Sequence, residues 1–321
     1  MTQPTGTFSA YQAKGLRENL TDVIYNISPT ETPFVTNAGK TSATAVYHEW
    51  QTDSLAAADG TNAAIEGDDA PGQSSSPTNR VGNYCQIMRK QVTVTGTLEA
   101  VNKAGRKSEL AYQLAKRGQE LKRDMEARAT GNYAAVIGND TTARQTAGFE
   151  AFIRTNTSRG AGGANPTLSG TTDGYPNAAA TDGTQRAFTE ALLKTVIQSV
   201  WTAGGDLKIL MVGAGNKIVA SSFTGIATRF RDVPAGQQAQ IIGAADVYVS
   251  DFGELSIVPN RFQRNRTALL VDPDMVAIAT LRPFQTIPLA KTGDSEKRLL
   301  IIEWALKVNN EAAHGVVADL S

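Results

Sequence analysis

The residue types that most often support nucleophilic or metal chemistry are scarce in this chain. The sequence has one cysteine, Cys85, and two histidines, His48 and His314. A zinc site needs a close cluster of thiolate or imidazole ligands, and a Cys or Ser nucleophile needs a histidine base beside it. The sequence also has no G-x-S-x-G elbow. We therefore predict no catalytic site, no metal site and no cofactor, and we interpret Cys85 as a small hydrophobic residue.

One segment imitates a nucleotide-binding turn. The stretch "KILMVGAGNKIVASSF" predicts a strand that runs through Gly213 and Gly215 into a helix. Asp232 follows at about the spacing of the ribose-binding acid in a dinucleotide fingerprint. However, the third glycine of that motif would fall at Ile218, and no parallel strand is predicted to follow promptly. We interpret the two glycines as a tight strand-to-helix turn and keep a nucleotide-binding enzyme as an alternative.

The charged runs are interpreted as solvated surface. The acidic stretch "EGDDAPG" includes Asp68 and Asp69, but it lacks the alternating oxygen ligands of an EF-hand loop. The basic runs at 116–123 and 264–266 contain no interleaved aromatic residues, which a nucleic-acid-binding surface would favour. These runs therefore predict solvated loops and helix faces.

The overall composition sets further limits. The 321 residues include 31 Lys and Arg against 31 Asp and Glu, so the formal net charge is zero. Such a chain has no global field that attracts nucleic acid or a membrane surface. The single cysteine excludes an internal disulfide and fits a reducing compartment. The first residues lack the features of a signal peptide, and no stretch of 18 apolar residues occurs, so we expect no membrane partner.

The N-terminal region predicts a helix followed by a stiff bend. The segment 16–27 places apolar residues at helical spacing on one face. These residues include Leu20, Ile24 and Ile27. Ser28 and Pro29 then provide a helix start, whereas Pro33 is expected to stop that helix after about one turn. Phe34 lies beyond the bend.

Two predicted strands surround a long polar segment. Residues 44–52 and 83–97 are rich in β-branched and aromatic side chains. Between them, the segment 56–82 is rich in Ala, Gly, Ser, Asp and Pro, and its large apolar residues are Ile65 and Val81. Loops of this length inside compact domains are uncommon and are usually functional or disordered. We predict a long hairpin with a polar tip that is either functional or disordered.

The remaining sequence predicts an α+β protein. An apolar stripe indicates one long helix at about 104–137, about 50 Å in length at 1.5 Å per residue. A second helix is predicted at 190–203, where Gly204 and Gly205 end the pattern. A hairpin is predicted to turn at Phe252 and Gly253. Further strands are predicted at "DLKILMV", "ALLVD", "MVAIAT" and "RLLIIEWALKVNN".

This set of elements resembles the major capsid proteins of tailed bacteriophages, which have the Hong Kong 97-type fold. The likeness covers nearly the whole chain in order. It is most specific at "LTDVIYNISPTETPF" near the start and at "TLRPFQTIPLAKTGDSEKRLLIIEWALKVNNEAAHGV" near the end. A cellular nanocompartment shell protein of the encapsulin type shares the fold and stays open as a second alternative.

The resemblance implies a domain scheme with five segments. They are an N-terminal arm at 1–43, an extended loop at 44–96, a peripheral domain with the long spine helix at 97–140, an axial domain at 141–267, and returning peripheral strands at 268–321. The resemblance also implies contacts between subunits in the arm and in the loop. The residues expected there are Leu20, Ile24, Ile27, Pro29, Pro33, Phe34, Ile65, Asp68 and Asp69.

The same resemblance implies the partners. The first partner is the chain itself, in pentamers and hexamers of a closed icosahedral shell. A portal protein is expected at the shell, with decoration and scaffolding proteins as further candidates. Packaged double-stranded DNA is expected to be held without sequence specificity. The expected location is the virion, after assembly in the cytoplasm of the host bacterium.

Overall fold

A computed structural model describes residues 29–67, 69, 77–223 and 247–321. The helices are α1 (Pro33–Asn37), α2 (Gly96–Ala100), α3 (Glu109–Thr130), α4 (Glu190–Thr202) and α5 (Ala214–Ser221). The strands are β1 (Gly39–Ser42), β2 (Tyr47–Thr52), β3 (Asn79–Tyr84), β4 (Gln86–Thr95), β5 (Thr157–Ser158), β6 (Thr167–Leu168), β7 (Pro176–Ala178), β8 (Ile209–Val212), β9 (Val247–Ser250), β10 (Gly253–Pro259), β11 (Thr267–Val271), β12 (Val276–Pro288), β13 (Ser295–Val308) and β14 (Gly315–Ala318). Separate helices and mainly antiparallel sheets confirm the predicted α+β class. None of the described helices is long and apolar enough to cross a membrane.

The longest helix, α3, lies against the first main sheet. This four-stranded sheet has the order β1-β12-β13-β4. Strand β1 is parallel to β12, and the other neighbours are antiparallel. Leu121 and Met125 of α3 are buried in one apolar cluster with Leu300 and Trp304 of β13. Helix α3 therefore covers one face of the four-stranded sheet.

The long helix is shorter than the sequence predicts. The apolar stripe predicts residues 104–137, whereas α3 has 22 residues and is about 33 Å long. It begins after Ser108, whose Oγ accepts the N–H of Ala111 at 3.2 Å. The carboxylate of Glu99 also accepts the N–H of Glu109 at 2.9 Å. These acceptors satisfy backbone donors that have no partner within the helix, so they fix its start.

Helix α3 ends at Gly131, where the chain turns back sharply. A Cβ at Gly148 would clash with the carbonyl oxygen of Gly131, so the returning chain passes very close to the helix end. Tyr133 and Ile137 continue the apolar spacing, but they lie in the following loop and are 47% and 50% exposed. The part of the prediction that extends the helix to 137 is therefore wrong.

The second main sheet is buried on both faces. It has six strands in the order β5-β14-β11-β8-β10-β9. In β8, Leu210 and Val212 pack in a cluster with α4 and α5. Ile209 and Met211 point the other way and join the cluster that contains α3. The cluster that contains α3 therefore extends from the four-stranded sheet to the six-stranded sheet and joins them.

The predicted elements of the C-terminal half are largely confirmed. Helix α4 lies within one residue of the predicted 190–203. Strands β9 and β10 form the hairpin predicted to turn at Phe252 and Gly253. The returning strands 268–321, however, divide between the sheets. Strands β12 and β13 pair beside β1 and β4, whereas β11 and β14 belong to the six-stranded sheet. The domain boundaries themselves stay a prediction.

The hairpin is built differently from the prediction. Residues 83–97 are not one strand, because β3 and β4 separate at Cys85. Strand β2 pairs with β3, from Tyr47 opposite Tyr84 to Thr52 opposite Asn79. Strand β4 instead joins β13 in the four-stranded sheet. The hairpin strands are therefore six residues each.

The predicted bend in the arm also needs correction. Pro33 begins α1 rather than ending a helix, and residues 29–32 are not helical. Proline suits the first helical position because its φ is already fixed and the missing N–H is not needed there. Thr32, the residue before it, is non-helical with φ −126° and ψ 73°. The predicted helix at 16–27 lies outside the described residues.

Candidate subunit-interface surfaces

The carboxylate of Glu126 in α3 holds the chain where it leaves the N-terminal arm. Its oxygens accept the N–H groups of Phe34 and Val35 at 2.8 Å each, and Oε1 also accepts Nδ2 of Asn260 at 2.6 Å. Glu126 is fully buried. Burial raises the pKa of this carboxyl above its ordinary value, although the three hydrogen bonds act in the lowering direction. The start of α1 is thus fixed on α3.

Sequence reasoning does not find Glu126. The helical pattern places it among the charged residues beside the apolar stripe, where a solvated side chain is expected. Its partners lie 92 and 134 positions away in the chain, so no local signal identifies it. An acidic residue next to the buried Met125 is the only hint in the sequence.

The predicted interface residues of the arm have different outcomes. Phe34 is 2% exposed and packs edge-on against Phe149, with 5.4 Å between ring centroids. It therefore belongs to the core of its own subunit, and its assignment to a subunit interface is corrected. Pro29 and Pro33 are partly exposed, and their interface role stays a prediction. The other three arm residues, Leu20, Ile24 and Ile27, lie outside the described residues.

The hairpin of β2 and β3 is held at its base by a loop from a distant part of the chain. The N–H of Gly82 donates to the carbonyl of Gly174 at 2.9 Å, and the N–H of Gly174 donates to the carbonyl of Arg80 at 2.7 Å. Asp173 Oδ1 accepts the N–H of Arg80 at 2.8 Å. Because backbone bonds connect the hairpin to this loop, the subunit itself sets the direction in which the hairpin points.

Three tyrosines close the base of the hairpin. The ring of Tyr84 lies 4.7 Å from that of Tyr47 and 5.2 Å from that of Tyr175. Burial raises the pKa of Tyr47 to about 12. A Cβ at Gly82 would meet the Tyr47 ring at 2.5 Å, so a glycine is needed there for the ring to lie flat on the strand. The cluster gives the base of the hairpin the core that its loop lacks.

The loop beyond the hairpin has no core of its own. Every residue of 53–67 is exposed. Leu55 is 99% exposed and Ile65 is 79% exposed. Asp69 is also exposed, whereas Asp68 lies outside the described residues. The exposed Leu55 and Ile65 are available for contacts outside the subunit, and the interface role of Ile65 and Asp69 stays a prediction.

The cysteine and the histidines have separate environments. Cys85 is buried, its Sγ lies 3.6 Å from the carbonyl of Ala45, and burial raises its pKa to about 11. His48 lies beside Trp50, with 5.9 Å between ring centroids. His314 is fully buried, and its Nδ1 accepts the N–H of Asp272 at 3.2 Å. Among the described residues, no group of three or more His, Cys, Asp or Glu could hold a metal.

His314 should make the stability of the subunit depend on pH. Burial lowers its pKa from 6.5 to about 4. As the pH falls below 6.5, the imidazole of His314 therefore takes up a proton in the unfolded chain, whereas in the folded chain it takes up a proton only near pH 4. As the pH decreases from 6.5 to about 4, we expect the free energy of unfolding to decrease by up to about 3 kcal/mol relative to a variant that does not titrate at this position. Urea unfolding of the wild type and of His314→Gln between pH 4 and pH 7 measures the difference. Parallel pH dependences of the two proteins would contradict this expectation.

The turn at Gly213 is filled by the protein itself. Gly213 precedes α5, and a Cβ there would clash with Oδ1 of Asn265. Asn216 Nδ2 donates to the carbonyl of Asn265 at 2.6 Å. The glycine is therefore explained by packing, as the tight-turn interpretation states. Strand β10 runs parallel to β8, but it begins only at Gly253, well after α5. Asp232 lies outside the described residues.

Two sheets, a helix across one of them and a hairpin that carries a long exposed loop form the Hong Kong 97-type fold. Solved structures of capsid proteins have the same fold as this chain. The capsid of a native GTA particle has a TM-score of 0.64 and 10% sequence identity, over 97% of this chain and 98% of that one. The major capsid proteins of phage G, solved with gp26 decoration proteins, have a TM-score of 0.54 and 10% identity over the full length of both chains. These likenesses establish the fold.

Sequence comparison identifies the family. The chain belongs to the SU10 major capsid protein family, whose sequence profile matches residues 3–321. A curated relative, the major capsid protein of Escherichia phage Phieco32, is 29% identical over 351 residues, covering 99% of this chain and 97% of the relative. The prediction of a major capsid protein of a tailed phage is confirmed.

Proposed function

We propose that copies of this chain assemble into a closed icosahedral shell around double-stranded DNA, with the hairpin loop and the N-terminal arm bridging neighbouring subunits. One observation carries the proposal. The loop 53–67 is fully exposed, yet it stands on a hairpin base that backbone hydrogen bonds and three tyrosines hold in place. A rigid base with an unsupported tip suits a segment whose packing comes from another copy.

The same reasoning, a fixed base with a segment that packs on another copy, applies to the arm. Glu126 fixes the start of α1 on α3, so the residues before Pro33 leave the subunit in a defined direction. A fixed direction lowers the entropy that is lost when the arm docks on a neighbour. Pro29 and Pro33 add stiffness at this point, because proline restricts the backbone.

The proposed partners follow from the shell. Pentamers and hexamers of the chain form the shell, with the segment 141–267 as axial domain and 97–140 with 268–321 as peripheral domain. A portal protein, scaffolding proteins and decoration proteins are proposed as further partners, the last by analogy with the phage G capsid. A net charge of zero suits a container for DNA, since each phosphate contact would add salt-dependent affinity. We propose assembly in the host cytoplasm and a structural role without catalysis.

Electron microscopy of the purified protein tests the proposal. We expect uniform closed particles after expression of the chain in a bacterium, because the contacts between copies are built into each subunit. Mass spectrometry of the particles identifies the contents, and an enclosed enzyme cargo would favour a cellular nanocompartment instead. A protein that stays monomeric at every salt concentration, with or without a co-expressed scaffolding protein, would contradict assembly.

A further inference from the structure

Three Asp-Gly pairs occur in the sequence, at 59–60, 173–174 and 182–183. Such a pair can rearrange without an enzyme, because glycine has no side chain to keep its backbone nitrogen away from the aspartate carboxyl. The backbone must, however, rotate until the nitrogen and the carboxyl carbon meet. The surroundings of each pair therefore decide whether it reacts, and these surroundings differ within the subunit.

The pair 59–60 lies in the exposed loop 53–67 and has room to rotate. Both residues are exposed. Within the described part of the chain, the N–H of Gly60 donates to no acceptor, and a Cβ at Gly60 would meet no atom within 4 Å. Oδ1 of Asp59 accepts the N–H and the hydroxyl of Thr61 at 2.8 and 2.6 Å. These bonds stay within one turn, so they do not fix the pair to the rest of the subunit.

The pair 173–174 is fixed to the hairpin. The N–H of Gly174 donates to the carbonyl of Arg80 at 2.7 Å. Oδ1 of Asp173 accepts the N–H of Arg80 at 2.8 Å, across 93 positions of the chain. A Cβ at Gly174 would also clash with Oγ of Ser169, so the turn is closely packed. Both groups that would have to react are therefore held by hydrogen bonds to a distant strand.

The pair 182–183 is fixed in the same way. The N–H of Gly183 donates to Oδ1 of the buried Asp319 at 2.7 Å. The carboxylate of Asp182 accepts Nη1 of Arg264 at 3.1 and 3.0 Å, across 82 positions of the chain. A Cβ at Gly183 would meet the backbone of Gly160 at 2.7 Å. The backbone therefore has no room to rotate at this pair.

Access to water does not distinguish the three pairs, because all three aspartates are exposed. The difference lies in the glycine N–H and in the space around it. Reaction at 173–174 or at 182–183 first requires local unfolding, which breaks hydrogen bonds to distant residues. Reaction at 59–60 requires only rotation within the loop. The fold therefore selects one of three chemically equivalent pairs.

We propose that Asp59 and Gly60 form a site of spontaneous isoaspartate formation in the unassembled subunit. The backbone nitrogen of Gly60 forms a bond to Cγ of Asp59, and the carboxyl hydroxyl leaves as water with the amide proton. A second water then opens the resulting cyclic imide. Where it attacks the former main-chain carbonyl of Asp59, the main chain passes through Cβ and Cγ, and the carboxylate remains on Cα. The water lost in the first step is regained in the second, so the net reaction is an isomerisation that needs no cofactor.

The rearranged loop has one more carbon in its main chain. This carbon changes the direction of the chain beyond Asp59, including the segment that carries the exposed Ile65. A subunit that stays unassembled for long should therefore become less able to assemble. This consequence rests on the proposed function, because it requires that the loop bridges subunits. The rearrangement itself does not depend on assembly.

Peptide mapping tests the site. An isoaspartate methyltransferase with labelled S-adenosylmethionine marks each isoaspartyl carboxylate. Trypsin separates the pairs, since peptide 41–80 contains the pair 59–60 and peptide 160–186 contains the other two. After prolonged incubation of unassembled subunits, we expect at least about tenfold more label in 41–80 than in 160–186. In urea, where the fold no longer protects any pair, the label per Asp-Gly pair should be similar in both peptides.

Two variants assign the label to the pair 59–60. Asp59→Glu keeps the charge, but its longer side chain closes a cyclic imide far more slowly. Gly60→Ala places a methyl group in open space, where it hinders the approach of the nitrogen to the carboxyl. Both variants should lose the label in 41–80. Their melting temperatures should equal that of the wild type, because both positions are exposed.

The proposed site is overturned if folded subunits carry equal label per pair in both peptides, or if the label in 41–80 persists in both variants. For the consequence, aged wild type should form fewer particles than fresh wild type, whereas aged Gly60→Ala should match its own fresh preparation. Equal yields from fresh and aged wild type that carries the label would overturn the consequence. Absence of particles from fresh wild type would instead contradict the proposed function, and the labelling would still decide the site.

Discussion

Leu121→Asp is expected to abolish soluble expression of the subunit. Leu121 is 1% exposed in the cluster that joins α3 to Leu300 and Trp304 of the four-stranded sheet. Removing the buried leucine costs about 2–5 kcal/mol. An unpaired carboxylate at the same place adds several kcal/mol, as desolvation or as a forced protonation. The total is comparable to the whole stability of a typical domain, which is about 5–15 kcal/mol.

Two control variants isolate the buried charge as the cause. Leu121→Met keeps the volume and the apolar character, so it should cost less than about 1.5 kcal/mol. Lys122→Asp places a carboxylate at the next position of α3, where the side chain is exposed. Both controls should remain soluble, with circular dichroism spectra like that of the wild type. A soluble Leu121→Asp subunit with an unchanged melting temperature would show that this side of α3 does not cover the sheet.

Elements that depend on neighbouring residues could be predicted from the sequence. In α4, Leu193, Val196, Ile197 and Val200 recur at helical spacing, and all four are buried on the six-stranded sheet. The turn at Gly253 has φ of +145°, a conformation that glycine adopts readily, and it lies between two runs of β-branched residues. In both cases the pattern that predicts the element is also what stabilises it.

Elements that depend on distant residues could not be predicted. The separation of β3 from β4 follows Asn83, which is fully buried. Its Nδ2 donates to Thr146 Oγ1 and to the carbonyl of Leu306 at 2.8 Å each, and its Oδ1 accepts the N–H of Ala147 at 2.9 Å. These partners lie 63 to 223 positions away. The local sequence "NYCQIM" has no glycine or proline to mark the change of sheet, so it predicts one continuous strand.

The candidate interface surfaces show the same division. The composition of 53–67 is sufficient to predict an exposed loop, because almost nothing in it can be buried. The residues that hold the hairpin and α1 in place could not be predicted. Asp173 and Gly174 hold the hairpin, and Glu126 holds α1, through contacts that no periodic pattern encodes. Sequence reasoning therefore finds the exposed loop, but not the residues that hold the hairpin and α1 in place.

Shortening the loop is expected to abolish closed shells while leaving the subunit intact. The variant replaces residues 54–77 by Asn-Gly, which closes the hairpin beyond the last pair, Thr52 and Asn79. The described residues among those removed are all exposed, so they contribute no core. The melting temperature of the unassembled subunit should therefore be nearly unchanged. Particles should be absent or greatly reduced in electron micrographs.

The physical reason is that the loop cannot order itself. Fixing its backbone costs about 1–2 kcal/mol per residue, so tens of kcal/mol over the whole loop. Burial of Leu55 and Ile65 returns only about 1.5–3 kcal/mol each, and a neighbouring subunit must supply the rest. Amides of 53–67 should therefore exchange hydrogen quickly in the free subunit and slowly in the shell. A control variant keeps the length of the loop but replaces its residues by Gly and Ser, which tests whether the loop sequence is needed as well as its length. This variant should assemble as poorly as the shortened chain. Normal shells from either variant, or equal exchange in both states, would show that the shell is closed by other contacts.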